Sequence, residues 1–522
     1  MFSLWRKARR ENSAASRLLG STSLRFALHG WQRVKPKMPV VSRYMLYVVL
    51  KGIILWESNA MKISIKKLGA IKQAEFTLND LTIICGNNNT GKTYATYAVF
   101  GFLYFWRDVF TIKVKDEDVR QLLSEGSIDL DIQPFINNTR QTLKKGCAEY
   151  TEQLPHVFAS SEKHFIDSEF AVDLDKSDIQ PIPVFERTMG AAKTQLFSIS
   201  KKADSPVVSI SLLVEKENVR IPENVISRII GDALKEIIFG HIFPQPFIAS
   251  AERTGAAIFR KELNFARNRL LEEMSSIEKD INPFELLTKV YSDYALPVKT
   301  NVDFTRQLED LVKKESFIAE QYPDVLNDFA DIIGGEYLVT KNDELYYVPK
   351  GKRIKLTMDE SSSAVRSLLD IGFYLRHVAK PGDLLMIDEP ELNLHPENQR
   401  RVARLFSRLV NLGIKVFITT HSDYIIKELN TLIMLNQDKP YLKKIAEKEG
   451  YKQDELLSVD KIRVYIAEEK LLKLDDAKRR RKGLTLVPAN IDPELGIEAR
   501  SFDKTIDNMN RIQEEIVWGG DE

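Results

Sequence analysis

The sequence predicts an α/β fold in which a mixed, largely parallel sheet is flanked by helices. Apolar strands alternate with amphipathic helices between residues 384 and 435, which is typical of a parallel sheet covered by helices. Short strands at 62–68, 71–78 and 80–85 precede a glycine-rich turn and an apolar helix. The composition, with 43% apolar and 29% charged residues, is that of a globular protein with a large core.

Charge and cysteine content limit the class of protein. The 522 residues include 75 basic and 74 acidic side chains, so no strong overall field indicates a nucleic-acid partner. The 24 glycines and 20 prolines exclude a collagen-like or low-complexity chain. Two cysteines, Cys85 and Cys147, exclude a disulfide scaffold and favour a reducing compartment, so we expect a cytoplasmic protein.

The charge balance changes at residue 61. Residues 1–60 hold eleven basic and two acidic residues, which leaves residues 61–522 with a net charge of −8. We expect residues 1–60 to be a disordered or spurious basic extension and Met61 to be the natural start. A membrane-surface or nucleic-acid arm and a membrane anchor are the alternatives, but the apolar run 44–56 is shorter than a spanning helix. We expect no stable membrane partner.

The remaining chain divides into four segments. Residues 61–110 and 351–436 carry the motifs described below, and we expect them to form one domain. Residues 111–350 mix helical and strand patterns and are predicted to form an inserted α+β lobe. Residues 437–522 are predicted to be an α+β extension. The predicted elements beyond the first strands are strands at 207–214, 384–387, 415–419, 432–435 and 461–466, a hairpin at 337–356, and helices at 223–239, 256–280, 303–333, 363–379, 396–411, 422–429 and 502–516.

A glycine-rich run follows the apolar strand 81–85 and opens a helix. It matches the pattern G-x-x-x-x-G-K-[ST] and reads Gly86-Asn87-Asn88-Asn89-Thr90-Gly91-Lys92-Thr93. In such a loop the backbone N–H groups surround phosphates, Lys92 reaches the β- and γ-phosphates, and the Thr93 hydroxyl coordinates Mg²⁺. We therefore expect ATP and Mg²⁺ as cofactors. A Gly/Asn turn with an incidental lysine is the alternative.

Two further motifs follow buried strands. The strand 384–387 ends in Asp388, the expected Mg²⁺ ligand, and Glu389, which could orient or deprotonate the attacking water. His421 follows the next strand, at the edge of a parallel sheet where ligands collect, and we expect it to contact the γ-phosphate or the water. A solvated acidic turn and a satisfied surface or core histidine are the alternatives.

These motifs, in this order, resemble the P-loop NTPase heads of the ATP-binding-cassette (ABC) class, in the branch shared by SMC, RecF and overcoming-lysogenization-defect (OLD) proteins. The resemblance covers residues 61–105 and 355–436. It rests on the phosphate loop, on Asp388-Glu389-Pro390-Glu391 continuing into Leu392-Asn393-Leu394-His395-Pro396, and on Thr420-His421-Ser422.

The resemblance implies a fold, an activity and an assembly. It implies an ABC ATPase-like P-loop fold, with Glu389 as catalytic base and His421 as switch histidine. It also implies a homodimer in which two heads enclose two ATP molecules and Asn393 contacts the opposing subunit. A glutamine loop that contacts the metal is expected in the insertion, at no assigned position.

The serine signature departs from the family pattern. The family carries Leu-Ser-Gly-Gly followed by Glu or Gln, whereas this chain has Ser361-Ser362-Ser363-Ala364-Val365. Ser362 or Ser363 could still donate to the γ-phosphate bound by a partner subunit. These serines could instead be only a helix N-cap cluster.

The insertion is too short, and too poor in heptads, for the long coiled coil of SMC proteins, so we expect a compact lobe. Within it, Arg253 follows a predicted strand at 247–249 and could reach a phosphate, a partner subunit or an acidic side chain such as Glu252. Basic residues on the helix 256–280 and in the run 478–482 could bind a nucleic-acid backbone or form a solvated surface.

The motifs predict a Mg²⁺-dependent ATPase, and the resemblance implies that it dimerises head to tail on ATP. Hydrolysis would be coupled to DNA or RNA processing, or to control of a separate nuclease or toxin, as in DNA repair or anti-phage defence. The alternative is a slowly hydrolysing, nucleotide-sensing scaffold that restrains a toxin or nuclease.

Overall fold

The computed structural model describes residues 61–175, 177–191, 194–203, 205–214, 222–259, 294–341, 344–473, 480–498 and 500–518. The expected extension 1–60, most of the predicted helix 256–280 and residues 478–479 of the basic run lie outside the described residues. No helix of the described part combines the length and apolar character needed to cross a membrane.

Strands and helices follow one another along the described chain. The strands are β1 (Met61–Leu68), β2 (Ile71–Leu78), β3 (Leu81–Gly86), β4 (Ser127–Asp131), β5 (Glu169–Asp173), β6 (Phe185–Ala191), β7 (Thr194–Lys201), β8 (Val207–Leu212), β9 (Pro246–Ala249), β10 (Gly335–Val339), β11 (Leu345–Pro349), β12 (Leu356–Thr357), β13 (Leu384–Asp388), β14 (Lys415–Thr420), β15 (Ile462–Leu472), β16 (Arg481–Pro488), β17 (Ile491–Asp492) and β18 (Gly496–Ile497). The helices are α1 (Lys92–Val109), α2 (Asp116–Glu125), α3 (Gln133–Asn137), α4 (Thr139–Thr151), α5 (Leu154–Phe158), α6 (Glu223–Phe239), α7 (Arg253–Ile258), α8 (Leu296–Arg306), α9 (Leu308–Leu311), α10 (Phe317–Gln321), α11 (Pro323–Ile333), α12 (Ser363–Ser367), α13 (Leu369–Phe373), α14 (Pro396–Asn411), α15 (Asp423–Leu435), α16 (Pro440–Lys448) and α17 (Arg500–Trp518).

A nine-stranded mixed sheet lies at the centre of the fold. Its strands are arranged in the order β5-β1-β2-β16-β15-β3-β14-β13-β9. The five strands from β15 to β9 are parallel, while β16, β1 and β5 add antiparallel pairings on the other side. The predicted α/β class with a mixed sheet is therefore confirmed.

Helices cover both faces of this sheet, which explains why its parallel strands are apolar throughout. On one face α1 packs with α4 and α5 over an aromatic core that includes Phe102, Trp106 and Phe243. On the other face α14 and α15 pack with α11, α12 and α13. The residues of β3 alternate between these two cores, with Ile83 in the second and Ile84 in the first.

The segment 111–350 contributes both to a separate layer and to the central sheet. The antiparallel sheet β4-β8-β7-β6 packs with α2 and α6 around a core of its own. In contrast, β5 and β9 from the same segment occupy the two edges of the nine-stranded sheet. The segment 437–522 likewise supplies β15 and β16, which lie between β3 and β2.

Three predicted elements differ from the structure. The predicted helix at 363–379 is divided into α12, α13 and a π-helical segment, Tyr374–Val378. The predicted strand at 432–435 is wrong, because α15 continues through Leu435 and buries Leu429, Leu432 and Ile433 at helical spacing. The predicted helix at 303–333 is divided into four helices, α8 to α11. Ser316 caps α10, and Pro323 begins α11 at a position where its missing N–H is tolerated.

Candidate functional site

Three parallel strands bring the predicted site residues to one edge of the sheet. β3 ends at Gly86, β13 at Asp388 and β14 at Thr420, and the register places Asp388 beside Thr419. A cavity of about 500 Å³ lies at this edge. Its lining consists of Ala70, Asn88, Asn89, Thr90, Gly91, Lys92, Thr93, Tyr94 and Glu389. The volume is in the range of small-molecule sites.

The phosphate loop has the strand–turn–helix context that the sequence predicts. Gly86 has a φ of 141°, and Gly91, the N-cap of α1, has a φ of 89°. A Cβ at Gly86 would lie 2.7 Å from the carbonyl oxygen of Ala467, and one at Gly91 would lie 2.6 Å from Cγ1 of Ile71. Both positions therefore require glycine, and the first N–H groups of α1 remain available to an anion.

Lys92 lies over this loop. Its side chain is buried, and Nζ donates to the carbonyl oxygens of Gly86 and Asn87 at 3.0 and 2.9 Å. Burial lowers the pKa of the Lys92 ammonium, and the nearby carboxylates, Glu389 first among them, act in the opposite direction. Phosphate oxygens are stronger acceptors than these carbonyls, so the ammonium can exchange one set of partners for the other.

Asp388 is fully buried, and its two carboxylate oxygens differ. The Thr419 hydroxyl donates to Oδ1, whereas Oδ2 has no hydrogen-bond partner among the described residues. Burial raises the pKa of Asp388, and the hydroxyls of Thr419 and Thr93 oppose this effect. An unpaired buried carboxylate oxygen is costly, and Mg²⁺ is commonly held by one or two protein oxygens together with phosphates and waters. The pair Asp388 and Thr93 therefore fits a Mg²⁺ ion.

Glu389 and His421 face each other beside the cavity. His421 Nδ1 lies 3.5 Å from Glu389 Oε1 and 3.2 Å from Glu391 Oε1. The Glu389 backbone has a φ of 52°, an unfavourable conformation for a non-glycine residue. Its N–H donates to the carbonyl oxygen of Thr419 at 3.2 Å. The structure thus brings together the two side chains to which the sequence assigns water activation and phosphate contact.

Glu391 is a site residue to which the sequence analysis assigns no role. Its Oε1 accepts the Thr420 hydroxyl at 2.8 Å and the His421 N–H at 2.7 Å, while Oε2 is buried without a partner among the described residues. Burial raises the pKa of Glu391. The sequence shows that Glu391 lies in the Asp-Glu-Pro-Glu run. It does not show the contacts of Glu391 with Thr420 and His421, because these residues are 29 and 30 positions away.

The segment after β9 supplies a further carboxylate. β9 is the parallel neighbour of β13, and Glu252 follows it closely. The Tyr97 hydroxyl donates to Glu252 Oε2 at 2.9 Å, and the Glu252 carboxylate contributes to raising the pKa of Asp388. The resemblance implies a glutamine loop at no assigned position in the insertion. From that segment, Glu252 acts electrostatically on Asp388, and Arg253 donates to the Asp388 carbonyl oxygen.

The serine turn, residues 361–363, makes its contacts within the chain. The Ser361 hydroxyl donates to the carbonyl oxygen of Thr357 at 2.7 Å, and the Ser362 hydroxyl accepts from the Val365 N–H at 3.3 Å, which makes Ser362 the N-cap of α12. Ser363 is the first residue of α12. The N-cap interpretation thus describes what Ser362 does in a single chain.

Asn393 and Arg253 have different environments. Asn393 is exposed in the turn after β13, with a φ of 61°, so its side chain is accessible to another molecule. Arg253 is 1% exposed and donates to four main-chain carbonyl oxygens, and among the described residues it forms no ion pair with Glu252.

Basic residues lie on the hairpin formed by β15 and β16. β15 pairs with β3 up to Ala467 opposite Gly86 and then continues beyond the end of β3 to Leu472, where it faces β16. Lys72 of β2 lies against Gly483 of this hairpin. Five basic residues on or beside this hairpin have no ion pair with another described residue; they are Lys72, Lys473, Arg480, Arg481 and Lys482.

Comparison with known proteins agrees with this geometry at the family level. The model of the AAA ATPase domain family matches residues 61–426, from β1 into α15. No protein of curated function matches the sequence.

Solved structures similar to the chain include three SMC heads. One is an SMC head bound to the C-winged helix domain of ScpA, with 12% identity, a TM-score of 0.28 and coverage of 81% of this chain and 98% of that chain. The SMC head domain from Thermotoga maritima has 10% identity and a TM-score of 0.27 over 83% and 100% of the two chains. The Smc head with an extended coiled coil bound to the C-terminal domain of ScpA, derived from Pyrococcus furiosus, has 14% identity and a TM-score of 0.27 over 87% and 99%.

Proposed function

The chain belongs to the family of AAA ATPase domains, and from this premise we propose that it binds ATP with Mg²⁺ at the phosphate loop and hydrolyses it between two copies of the chain. The observation that carries the proposal is the unpartnered Asp388 Oδ2 beside Thr93, next to the buried ammonium of Lys92. The phosphate loop, the carboxylate of Asp388 and the hydroxyl of Thr93 belong to different elements. A ligand bound by all three explains why they lie together.

The residues take the following roles. Lys92 and the N–H groups of residues 86–93 bind the phosphates, and Thr93 and Asp388 would hold Mg²⁺. When bound, Mg²⁺ neutralises charge on the β- and γ-phosphates. Glu389 orients and deprotonates the attacking water, and His421 donates to the γ-phosphate. Glu391 accepts the main-chain N–H of His421 and thereby holds that residue in place.

We propose that the second copy completes each site. Asn393 is exposed at the correct edge of the sheet for a contact with an opposing head. Ser362 and Ser363 would present a hydroxyl and backbone N–H groups to the nucleotide of the partner. The Ser362 hydroxyl already accepts one hydrogen bond as a cap, but it retains its proton for donation.

Phosphate release and size measurements test this proposal. Purified protein is incubated with ATP and Mg²⁺, with ATP and EDTA, and with ATP and Mg²⁺ after Asp388→Asn. We expect turnover only in the first reaction, because the other two lack the metal or its ligand, and we expect the apparent mass to double on ATP addition. Undiminished turnover in EDTA would contradict the metal assignment, and a monomer at saturating ATP would contradict the dimer.

We propose nucleic acid as the first candidate for what hydrolysis acts on. The basic hairpin continues the strand that pairs with the phosphate-loop strand, so a DNA or RNA backbone bound there would lie near the nucleotide. Turnover is measured with and without DNA and RNA at several salt concentrations. The charge reversal Arg481→Glu with Lys482→Glu should abolish stimulation, whereas Lys62→Glu should not, because Lys62 lies at the end of β1 opposite to the end nearest the hairpin.

The second candidate is a nucleotide-sensing scaffold that hydrolyses slowly and restrains a separate nuclease or toxin. The serine turn without glycines favours it, because its hydroxyls already have partners within the chain. Steady-state turnover separates the two candidates, since a scaffold should form the ATP-bound dimer and release little phosphate. The expected compartment is the cytoplasm, because both cysteines are free thiols. DNA repair and anti-phage defence are the settings we propose.

A further inference from the structure

Arg253 is a buried cation whose partners are main-chain carbonyls. It is 1% exposed, and its guanidinium makes four hydrogen bonds. Nε donates to the Ser367 carbonyl oxygen at 2.7 Å, and Nη1 donates to those of Ser250 and Asp388 at 2.8 and 2.7 Å. Nη2 donates to the Glu389 carbonyl oxygen at 2.9 Å. A planar group with five donors can make this set of contacts, and a lysine ammonium cannot.

The four carbonyls belong to three elements that each carry part of the proposed site. Ser250 follows β9 and precedes Glu252. Ser367 is the last residue of α12, the helix that begins after the Ser362 cap. The remaining two carbonyls belong to Asp388, the last residue of β13 and the metal acid, and to Glu389, the proposed base, which follows β13. One side chain therefore joins the serine turn to the catalytic carboxylates through main-chain atoms.

The contact with Glu389 supports an unfavourable backbone conformation. Glu389 has a positive φ of 52°, and its carbonyl and N–H are held by Arg253 and by Thr419. Rotation of this backbone would move the carboxylate away from His421. The hydrogen bond from Arg253 therefore acts on the orientation of the side chain that we assign as base.

The surrounding charges support a role other than a simple ion pair. The carboxylate of Asp370 is buried and interacts electrostatically with Arg253, yet neither of its oxygens has a hydrogen-bond partner among the described residues. The hydrogen-bond partners of the guanidinium among the described residues are therefore main-chain carbonyls and no carboxylate. This choice of partners places the positive charge at the ends of β13 and α12.

We propose that Arg253 is a positioning residue for ATP hydrolysis, which holds Glu389 in its working conformation and links that conformation to the serine helix α12. The inference rests on the proposed ATPase function, since it concerns the orientation of the base in that reaction. When the nucleotide bound by a second copy contacts α12, this link would change the orientation of the Glu389 carboxylate in the chain that carries α12.

The test uses Arg253→Lys and Arg253→Ala in the full chain, with Arg408→Lys as matched control. Arg408 is also buried, but it pairs with Asp324, Asp328 and Asp454, away from the site. We expect kcat to fall about 100-fold in Arg253→Lys with little change in KM, as for a misplaced catalytic group. Added guanidinium should restore part of the turnover of Arg253→Ala, and methylammonium should not.

Hydrogen exchange gives a readout that does not depend on activity. In Arg253→Lys, amides in segments 362–368 and 388–392 should exchange about tenfold faster, while both segments are unchanged in Arg408→Lys. The inference is wrong if kcat is unchanged in Arg253→Lys or if guanidinium fails to restore turnover in Arg253→Ala. It is also wrong if hydrogen exchange is faster in only one of the two segments or throughout the domain. If the wild type binds ATP without hydrolysing it, the proposed function fails, and the exchange pattern alone decides whether Arg253 links the two segments.

Discussion

The phosphate loop and the serine turn, the two turns that the resemblance assigns to ATP, use their polar groups differently. In the phosphate loop, Lys92 donates to carbonyls of its own loop, and Thr93 lies beside an acid with an unpartnered oxygen. In the serine turn, the hydroxyls of Ser361 and Ser362 have main-chain partners. The phosphate loop therefore has donors that an anion can bind, whereas the serine turn has a stable conformation without an anion.

This difference indicates that the phosphate loop binds ATP and that the serine turn acts at a later step, when the site is completed. A loop that closes on carbonyls weaker than phosphate as acceptors is prepared for its ligand within one chain. The serine turn keeps its conformation through contacts within its own chain, and our proposal assigns it to the nucleotide of another copy. We therefore expect substitutions in the first region to abolish binding, and substitutions in the second to act on turnover after binding.

The largest effect should follow Lys92→Ala, which removes the cation of the phosphate loop. We expect ATP affinity to fall at least about 100-fold, because a charge-assisted contact with the phosphates is lost in a buried setting. Calorimetric titration with ATP and Mg²⁺ measures this. Lys62→Ala is the control, since its exposed pair with Glu75 contributes little. Wild-type affinity in Lys92→Ala would show that the nucleotide binds elsewhere.

Glu389→Gln should separate binding from chemistry. We expect turnover to fall about 100-fold or more while ATP affinity is retained, since the amide keeps the shape of the side chain and loses the base. The ATP-bound dimer should therefore accumulate and be visible by size-exclusion chromatography with light scattering. Turnover near the wild-type rate would remove Glu389 from the role of base.

Composite dimers sharpen the comparison between the two turns. Lys92→Ala and the double variant Ser362→Ala with Ser363→Ala should each be inactive alone. In a mixed dimer, one site combines the intact loop of one chain with the intact serines of the other. Random mixing should therefore recover about a quarter of the wild-type turnover, because half of the dimers are mixed and each holds one intact site.

Mixing the two variants at increasing protein concentration is the measurement, with each variant alone as control. If the serine variant alone keeps wild-type turnover, the serine turn has no part in hydrolysis. If both variants are inactive and mixing restores nothing, the sites are not shared between chains.

The sequence predicts the phosphate loop well because its signal is local. The glycines, the lysine and the hydroxyl of residues 86–93 adjoin one another, and the apolar strand and helix on either side form as expected. The same holds for Asp388, which ends its strand. His421 is predictable because it directly follows a parallel strand of the same sheet.

Other features depend on contacts that no local pattern specifies. Arg253 acts through main-chain carbonyls of residues more than 100 positions away, and a carbonyl is common to every residue type. The insertion of β15 between β3 and β16 requires a pairing across almost 400 residues. The strand predicted at 432–435 failed because four apolar residues fit both periodicities, and packing against the sheet selects the helix.

Asp370, three residues beyond the serine helix, should make stability depend on pH. Burial raises its pKa from 3.8 to about 7, so the folded chain binds this proton more tightly than the unfolded chain. The free energy of unfolding should therefore decrease as pH rises from about 4 to about 7 and then level off. Asp370→Asn should remove that slope, as measured by urea unfolding at several pH values. An unchanged slope would assign the pH dependence to other carboxyls.

The smallest effect should distinguish the two serines by stability. Ser362→Ala removes the cap of α12 and should lower the free energy of unfolding by about 1 kcal/mol. Ser363 has no side-chain hydrogen bond to another described residue, so Ser363→Ala should leave stability within about 0.5 kcal/mol of the wild type. Urea unfolding of both variants, with ATP turnover in parallel, measures the difference. A turnover loss in Ser363→Ala at unchanged stability would assign that hydroxyl to the partner's nucleotide, because no contact within its own chain would account for the loss. A turnover loss confined to Ser362→Ala would trace instead to the cap, and the contrast between the two turns would then reduce to helix stability.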